Sequence, residues 1–291
     1  MSQLNQKFGL NYQLTVGLSA NANNAYIITP PLTLHFNVKR DTMARMNTGT
    51  FTIYNLAEQT RKQIYQDRYN LNTYKYVILE AGYGENMSQI FVGQIRQAYS
   101  MRVGTEWQTT IEAWDGGFGV ANGSTSISFP KGAGQAQVFK QLFANMPYTD
   151  TPVISGGLTG SYTHRGISFM GNSWTIAKYL TPSGYHLYID NNHPQIISYT
   201  EYVEGGIPQI SSDMGLLETP RREDANLEVK ILFEPRLIIG QAVSLNSEVG
   251  IYNNQYKVVG INHSGTISEA ASSDCATELN LWLGARLLQV A

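Results

Sequence analysis

Apolar residues that alternate one for one with polar ones constrain this chain more than any other feature. Leu32, Leu34, Phe36 and Val38 alternate with Thr33, His35, Asn37 and Lys39, and a period of two belongs to a strand with one face buried. Phe51 and Ile53 repeat the pattern, and Leu227, Val229, Ile231 and Phe233 carry it again between Glu228, Lys230, Leu232 and Glu234. Further strands are predicted over 74–81, 90–92, 99–103, 107–114, 241–245, 256–263 and 277–283. Gly82-Tyr83-Gly84-Glu85-Asn86 and Gly104 supply turns between them. Many short strands at close spacing predict a barrel or sandwich. One helix interrupts the first series, since Asn55 and Glu58 have capping-box spacing and Leu56, Thr60 and Ile64 follow at helical intervals.

The middle of the chain differs in kind. Gly119 to Gly134 is small and polar and reads as a linker, after which Val138, Phe139, Leu142, Phe143 and Met146 form one helical stripe that Pro147 closes. Ser173 is the expected cap of a second helix carrying Trp174, Ile176, Ala177 and Leu180. A hairpin over 185–199 follows, turning at Asp190-Asn191-Asn192-His193, and 208–224 reads as a connection. The chain is therefore mainly β with a small α/β insert: two related barrel or sandwich units flank a helix-hairpin domain. Its expected divisions are an N-terminal arm (1–24), a first β domain (25–118), the insert with its linkers (119–222), a second β domain (223–284) and a C-terminal tail (285–291).

A faint repeat relates the two β domains. Gly93 lies 21 residues before Trp114, Gly260 lies 22 before Trp282, and Phe51-x-Ile53 corresponds to Val229-x-Ile231. Each tryptophan ends a strand, and the first copy is longer by the Asn55 helix. The second domain, at roughly 70 residues, is too small to bury a core easily and is expected to pack against something else.

Composition excludes several function classes. Charged residues are 14% of the chain, against roughly 25% in ordinary soluble domains. The 20 basic and 22 acidic residues give a net charge of -2, which does not make a nucleic-acid footprint. No apolar run approaches the ~20 residues of a membrane span, and Met1 to Gln6 has no signal-peptide character. One cysteine, Cys275, makes no intrachain disulfide and reads as a structural thiol. No phosphate loop, dinucleotide fingerprint or nucleophile elbow occurs. Of the five histidines, His35, His164, His186, His193 and His263, only His186 and His193 could face each other, and a metal there would lack a third ligand. Ser264 beside His263 and Ser273 beside Asp274 are mere sequence neighbours. No catalytic residue, cofactor or metal site is expected. Trp174, Tyr179, Tyr185 and Tyr188 are candidate sugar-stacking rings, which keeps a peptidoglycan- or carbohydrate-binding module open as an alternative, with a wall hydrolase as a third class.

The chain resembles the baseplate hub proteins of phage tails, relatives of the base of the type VI secretion spike. The likeness rests on Phe51-Thr-Ile-Tyr-Asn-Leu-Ala-Glu-Gln-Thr-Arg61, on Tyr76-Val-Ile-Leu-Glu-Ala-Gly-Tyr83 with Ile90-Phe-Val-Gly-Gln-Ile95, and on Pro235-Arg-Leu-Ile-Ile-Gly240 through Tyr256 to Gly265 and Thr277-Glu-Leu279. The resemblance implies two tube-like β domains per subunit and a homotrimer with pseudo-six-fold symmetry that joins the tail tube, or a tube adaptor, to the central spike. Other baseplate subunits are implied as further partners. It implies a virion structural protein assembled in the host bacterial cytoplasm, without sequence-specific nucleic-acid binding. The length leaves no room for a fused spike or lysozyme domain, which argues against cell-wall cutting. Another tail subunit (tube, distal-tail or adaptor) is the alternative within the structural class. Leu287, Leu288 and Val290 are candidate inter-subunit contacts.

Overall fold

The computed structural model describes residues 9–19, 24–70, 72–162, 165–203, 206–223, 225–270 and 274–283. The first β unit contains β1 (Leu10–Gly17), β2 (Ala25–Ile28), β3 (Leu34–Asp41), β4 (Thr48–Tyr54), α1 (Glu58–Ile64), β5 (Tyr76–Tyr83), β6 (Asn86–Val103) and β7 (Glu106–Trp114). The insert follows with α2 (Gly117–Asn122), β8 (Ser124–Phe129), α3 (Gln135–Ala144), β9 (Val153–Ile154), β10 (Ile167–Asn172), α4 (Ser173–Leu180), β11 (Tyr185–Asp190) and β12 (His193–Ser198). The second β unit has β13 (Gln209–Ser211), β14 (Arg221–Glu223), β15 (Asn226–Leu232), β16 (Ala242–Asn246), β17 (Asn254–Ile267) and β18 (Asp274–Trp282).

Both β units belong to one 13-stranded sheet, in the order β14-β15-β18-β17-β3-β4-β7-β6-β5-β1-β2, with β13 and β16 branching from β17. The second unit completes itself against the first. The end of β17 pairs antiparallel with β3, Gly260 opposite Asp41 through Ile267 opposite Leu34. Strand β17 is long enough to serve two partners, because its start pairs with β16 and its end with β3.

The repeat is a repeat of register. Strand β4 pairs with β7 so that Thr48 faces Trp114, and β15 pairs with β18 so that Asn226 faces Trp282. On the other side of each tryptophan strand stand Gln94 and Lys257, and in both copies the register slips two residues later, at Arg96 and at Val259. A bulge at the same place twists both copies alike. The strand beyond is set the same way, since Ile95 N–H donates to Lys75 O and Val258 N–H to Gln241 O, both at 2.9 Å. The glycine anchor of the sequence alignment is therefore corrected: Gly260 corresponds to Gln97, whereas the pairing of Phe51 with Val229 and of Trp114 with Trp282 stands.

Other expectations are also corrected. Residues 10–17, assigned to a free arm, are a strand between β5 and β2, with Tyr12, Leu14 and Val16 buried in the core of the first unit. Burial of one face of that segment holds it in the sheet. The expected linker 119–134 holds most of α2 and all of β8, which pairs with β10, and the connection 208–224 supplies β13 and β14. Asn55 does not cap α1. It takes a left-handed φ of 57°, which asparagine tolerates, and pairs with Trp107 through its own N–H and its side-chain oxygen. The cap of α4 is Asn172, whose side chain accepts from Thr175 N–H at 2.9 Å, while Ser173 is its first helical residue. The tail with Leu287, Leu288 and Val290, like His164 and Ser273, lies outside the described residues.

If β1 is integral to the sheet, Leu14→Ala lowers stability by about 2–5 kcal/mol, the usual cost of emptying a core site. Urea unfolding should show a lower midpoint with an unchanged slope. A change under about 0.5 kcal/mol, as for surface positions, would return the segment to an arm.

Candidate functional site

The hairpin β11–β12 lies between the insert and the second β unit, and both of its faces are buried. Leu187, Ile189 and Ile196 join the core of the insert, with Val138, Phe139, Leu142 and Trp174, whereas Tyr188 and Ile197 join the core of the second unit. An uninterrupted apolar run is what a strand covered on both sides requires.

The tip of the hairpin is held by the first unit. Asn191 and Asn192 both have positive φ, 51° and 65°, the geometry of a primed two-residue turn. Their backbone N–H groups donate to the Asp115 carboxylate at 2.6 and 2.7 Å. Asp115 is fully buried just after Trp114. Asn47 donates to Ile189 O at 2.7 Å, and Gln94 donates to Asn192 Oδ1 at 2.9 Å while accepting from Phe118 N–H. Arg40, buried at the end of β3, donates to Asp190 at 3.3 Å and to Leu237 O of the second unit at 2.9 Å. One buried polar cluster thus ties all three parts of the chain together. Burial, and then the neighbouring Asp190 charge, push the Asp115 carboxyl up to about 7 against the hydrogen bonds it accepts.

The base of the hairpin is held by the second unit, through the residue equivalent to Gln94. Lys257 is buried, and its Nζ donates to the carbonyls of Ser198, Tyr199 and Glu201 at 2.9, 3.4 and 2.6 Å. Burial pulls its ammonium down to about 8. Trp282 adds its ring beside Tyr199 and His186, with centroids 5.7 and 6.3 Å away. Burial and the Lys257 charge lower His186 to about 4, so it packs as a neutral ring.

The residues singled out for other chemistry are not brought together. Trp174 and Tyr188 are buried in two different cores, Tyr179 is exposed and Tyr185 half-buried, so the four rings form no sugar-stacking platform. His186 pairs in register with Ile197 and His193 with Asp190, so the two histidines do not face each other. His263 is fully buried, bonded to Thr277 at 2.9 Å and set against Phe233, and burial holds it well below its usual range. The Cys275 thiol, pushed up to about 12 mainly by burial, faces Thr266 O. Among the described residues there is no group of three metal-ligating side chains. A cleft of about 1190 Å³ runs between insert and sheet, where Arg221 and Glu228 pair at 2.8 Å and Lys230 and Glu218 at 3.1 Å. Clamp residues were missed by sequence reading because the side chains involved are distant in sequence and alike only in position.

Solved structures of phage tail proteins share this fold. A tail protein from Neisseria meningitidis MC58 superposes with a TM-score of 0.62 at 11% identity, over 95% of this chain and 97% of that one. The 43 kDa tail protein of prophage MuSo2 from Shewanella oneidensis gives 0.63 at 8% identity, over 92% and 96%. An E. coli component of the type VI secretion system, described as similar in structure to the T4 bacteriophage tail proteins gp27 and gp5, gives 0.56 at 7% identity over 87% and 74%. No curated protein matches by sequence. The model of the family Baseplate hub gp41 matches residues 13–264, and the chain belongs to that family. No helix among the described residues is long and apolar enough to cross a membrane.

Two outcomes test the clamp. Lys257→Ala removes the ammonium that three carbonyls share, of which Ser198 O keeps the Glu201 N–H at 3.2 Å, and loss of hydrogen bonds to a charged group costs roughly 1.5–3 kcal/mol. Amide exchange should accelerate over 185–198 and not over 76–83, and equal rates in both variants would contradict the clamp. For Asp115 the folded carboxyl protonates near 7 and the unfolded one near ~3.9. The folded state therefore holds the extra proton between those values, and the contribution of this group declines as pH rises from about 4 to 7. The stability of wild type relative to Asp115→Asn should fall over that window, by at most ~1.4 kcal/mol per pH unit. A difference that does not vary with pH would refute the assignment.

Proposed function

We propose that three copies of this chain close into the hub ring of a phage tail baseplate, joining the tail tube to the central spike. The observation that carries this reading is the repeated β unit, joined edge to edge in one sheet with the same register and the same bulge. Three subunits with two such units each offer six similar positions to a six-fold tube, or to a tube adaptor, and keep three-fold symmetry for a spike. Head-to-tail contacts whose rotation closes are an ordinary route to such rings. The insert, clamped at both ends of its hairpin, fixes the two units at one angle, which a ring of defined diameter needs.

The family is structural, and the role proposed here is structural and not enzymatic: the protein acts by position, with no cofactor. Its place is the tail baseplate of the virion, assembled in the host bacterial cytoplasm, with other baseplate subunits as further partners. Exposed apolar side chains, among them Met101 and Val103 on β6, Trp107 on β7 and Ile27 on the edge strand β2, are proposed to contact such neighbours. Low overall charge agrees with extensive protein contacts, whose cores are poor in charged residues. The C-terminal residues Leu287, Leu288 and Val290 are proposed as additional inter-subunit contacts.

Light scattering after size exclusion tests the stoichiometry. The expected species has three times the monomer mass. Six copies would assign the chain to the tube-like class, and a monomer at every concentration would refute the closed ring.

A further inference from the structure

The two β units differ at one end in a way that leaves a groove. The first crosses from β4 to β5 through residues 55–75, and the second crosses from β15 to β16 through 233–241. These connections are equivalent. Thr48 and Asn226 face the two tryptophans on the strands before them, and on the strands after them Tyr76 faces Gln94 and Ala242 faces Lys257. The longer connection carries α1 and buries Leu56 and Ile64 in the core of the first unit. Lys75 fastens the last turn of that helix, donating to Gln63 O at 2.9 Å and to Tyr65 O at 2.8 Å. The shorter connection buries Leu237 and Ile239 and holds no helix. Gln241, in the place of Lys75, donates instead to Gly206 O at 2.8 Å. Beside it lies an apolar groove of about 340 Å³, lined by Ile207, Pro208, Ile210, Ile231 and Leu237. Ile231 is the equivalent of Ile53, the last buried residue of β4, and Ile207 stands exposed at the rim.

A segment of this chain starts within reach. Residues 1–8 lie outside the described residues, which begin at Gly9. Gly9 has a φ of 70°, a value glycine takes without strain and one that turns the chain off the line of β1. Its carbonyl accepts from Gly84 N–H at 2.8 Å. The neighbouring Tyr83 hydroxyl donates to Phe233 O at 3.0 Å, and Phe233 opens the short connection. Residues 1–8 therefore leave the sheet one tyrosine side chain away from that connection. They span ~26 Å if extended and ~12 Å as a helix. Met1, Leu4 and Phe8 are spaced three and four apart among polar residues, which in a helix sets them on one face. The chemistry matches the template, since Leu56 and Ile64 are likewise the apolar residues among Glu58, Arg61 and Lys62. We propose that residues 1–8 fold back over the short connection of their own chain and set Leu4 and Phe8 into the groove. This strap closes the end of the second unit as α1 closes the end of the first, and ties β1 to the opposite half of the molecule.

A disulfide trap in the whole chain tests the strap. In a Cys275→Ala background, mild oxidation of Leu4→Cys with Ile207→Cys should close a loop within one chain. It is read as a faster monomer band on a non-reducing gel and as a linked peptide pair by mass spectrometry. Leu4→Cys with Met170→Cys, a position on β10 of the insert that is more exposed still, should stay open. In parallel, the Ile207 and Gln209 amides should exchange several times faster when Leu4→Asp and Phe8→Asp are combined, with the amides of β5 unchanged. Equal linking at 207 and 170, no linking at 207, or exchange unaffected by the two aspartates would each overturn the strap. Linking between chains would overturn it as well and assign the groove to a second copy. The strap belongs to one chain, so each of these results leaves the hub reading, which the mass of the assembled species decides, untouched.

Discussion

The buried carboxylate of Asp115, closing on the two N–H groups of the Asn191–Asn192 turn, is the interaction on which the arrangement of this chain depends. The turn can offer both donors only because both residues adopt left-handed φ, and the carboxylate can be buried only because Asn47 and the two backbone groups satisfy it. At the other end of the same hairpin Lys257 fills a cage of three carbonyls. An insert held at a single point would swing. Held at two, with Gln94 at the tip in the position that Lys257 has at the base, it acts as a strut between the two β units.

Duplication explains the rest of the architecture economically. One unit of four antiparallel strands, with a bulge two residues past the position opposite the tryptophan, occurs twice in one sheet. The copies differ where their surroundings differ. The first carries α1 and the extra strands β1 and β2, which complete its own core, whereas the second borrows the edge of β3 and the buried face of the hairpin. Position is retained while chemistry diverges: Gln94 binds the hairpin tip through an amide, and Lys257 binds its base through an ammonium. Trp114 lies under the Arg96 guanidinium, 4.4 Å from the ring centre to its carbon, whereas Trp282 packs on Tyr199 and His186.

Much of the fold was legible because period-two burial writes itself directly into sequence, as at Leu34, Phe36 and Val38. The same signal was present at Leu10, Tyr12, Leu14 and Val16 and would have revealed β1, but the segment was read as an arm. The repeat was visible at the tryptophans, which end equivalent strands, and blurred at the glycines. A bulge displaces the register without demanding a particular residue, so Arg96 and Val259 share no side-chain property. Short strands such as β14, with Arg221, Arg222 and Glu223, have no apolar face to announce them. The clamp was least legible. Asp115 reads as a turn residue, and only the folded chain brings it to a turn far along the sequence.

The most direct measurement is the projection of the assembled protein along its axis, by electron cryo-microscopy without imposed symmetry. The account predicts a ring of six lobes that alternate between two kinds, related by a true three-fold axis and only approximately by a six-fold one. Six identical lobes, or three lobes with no second unit in the ring, would contradict it.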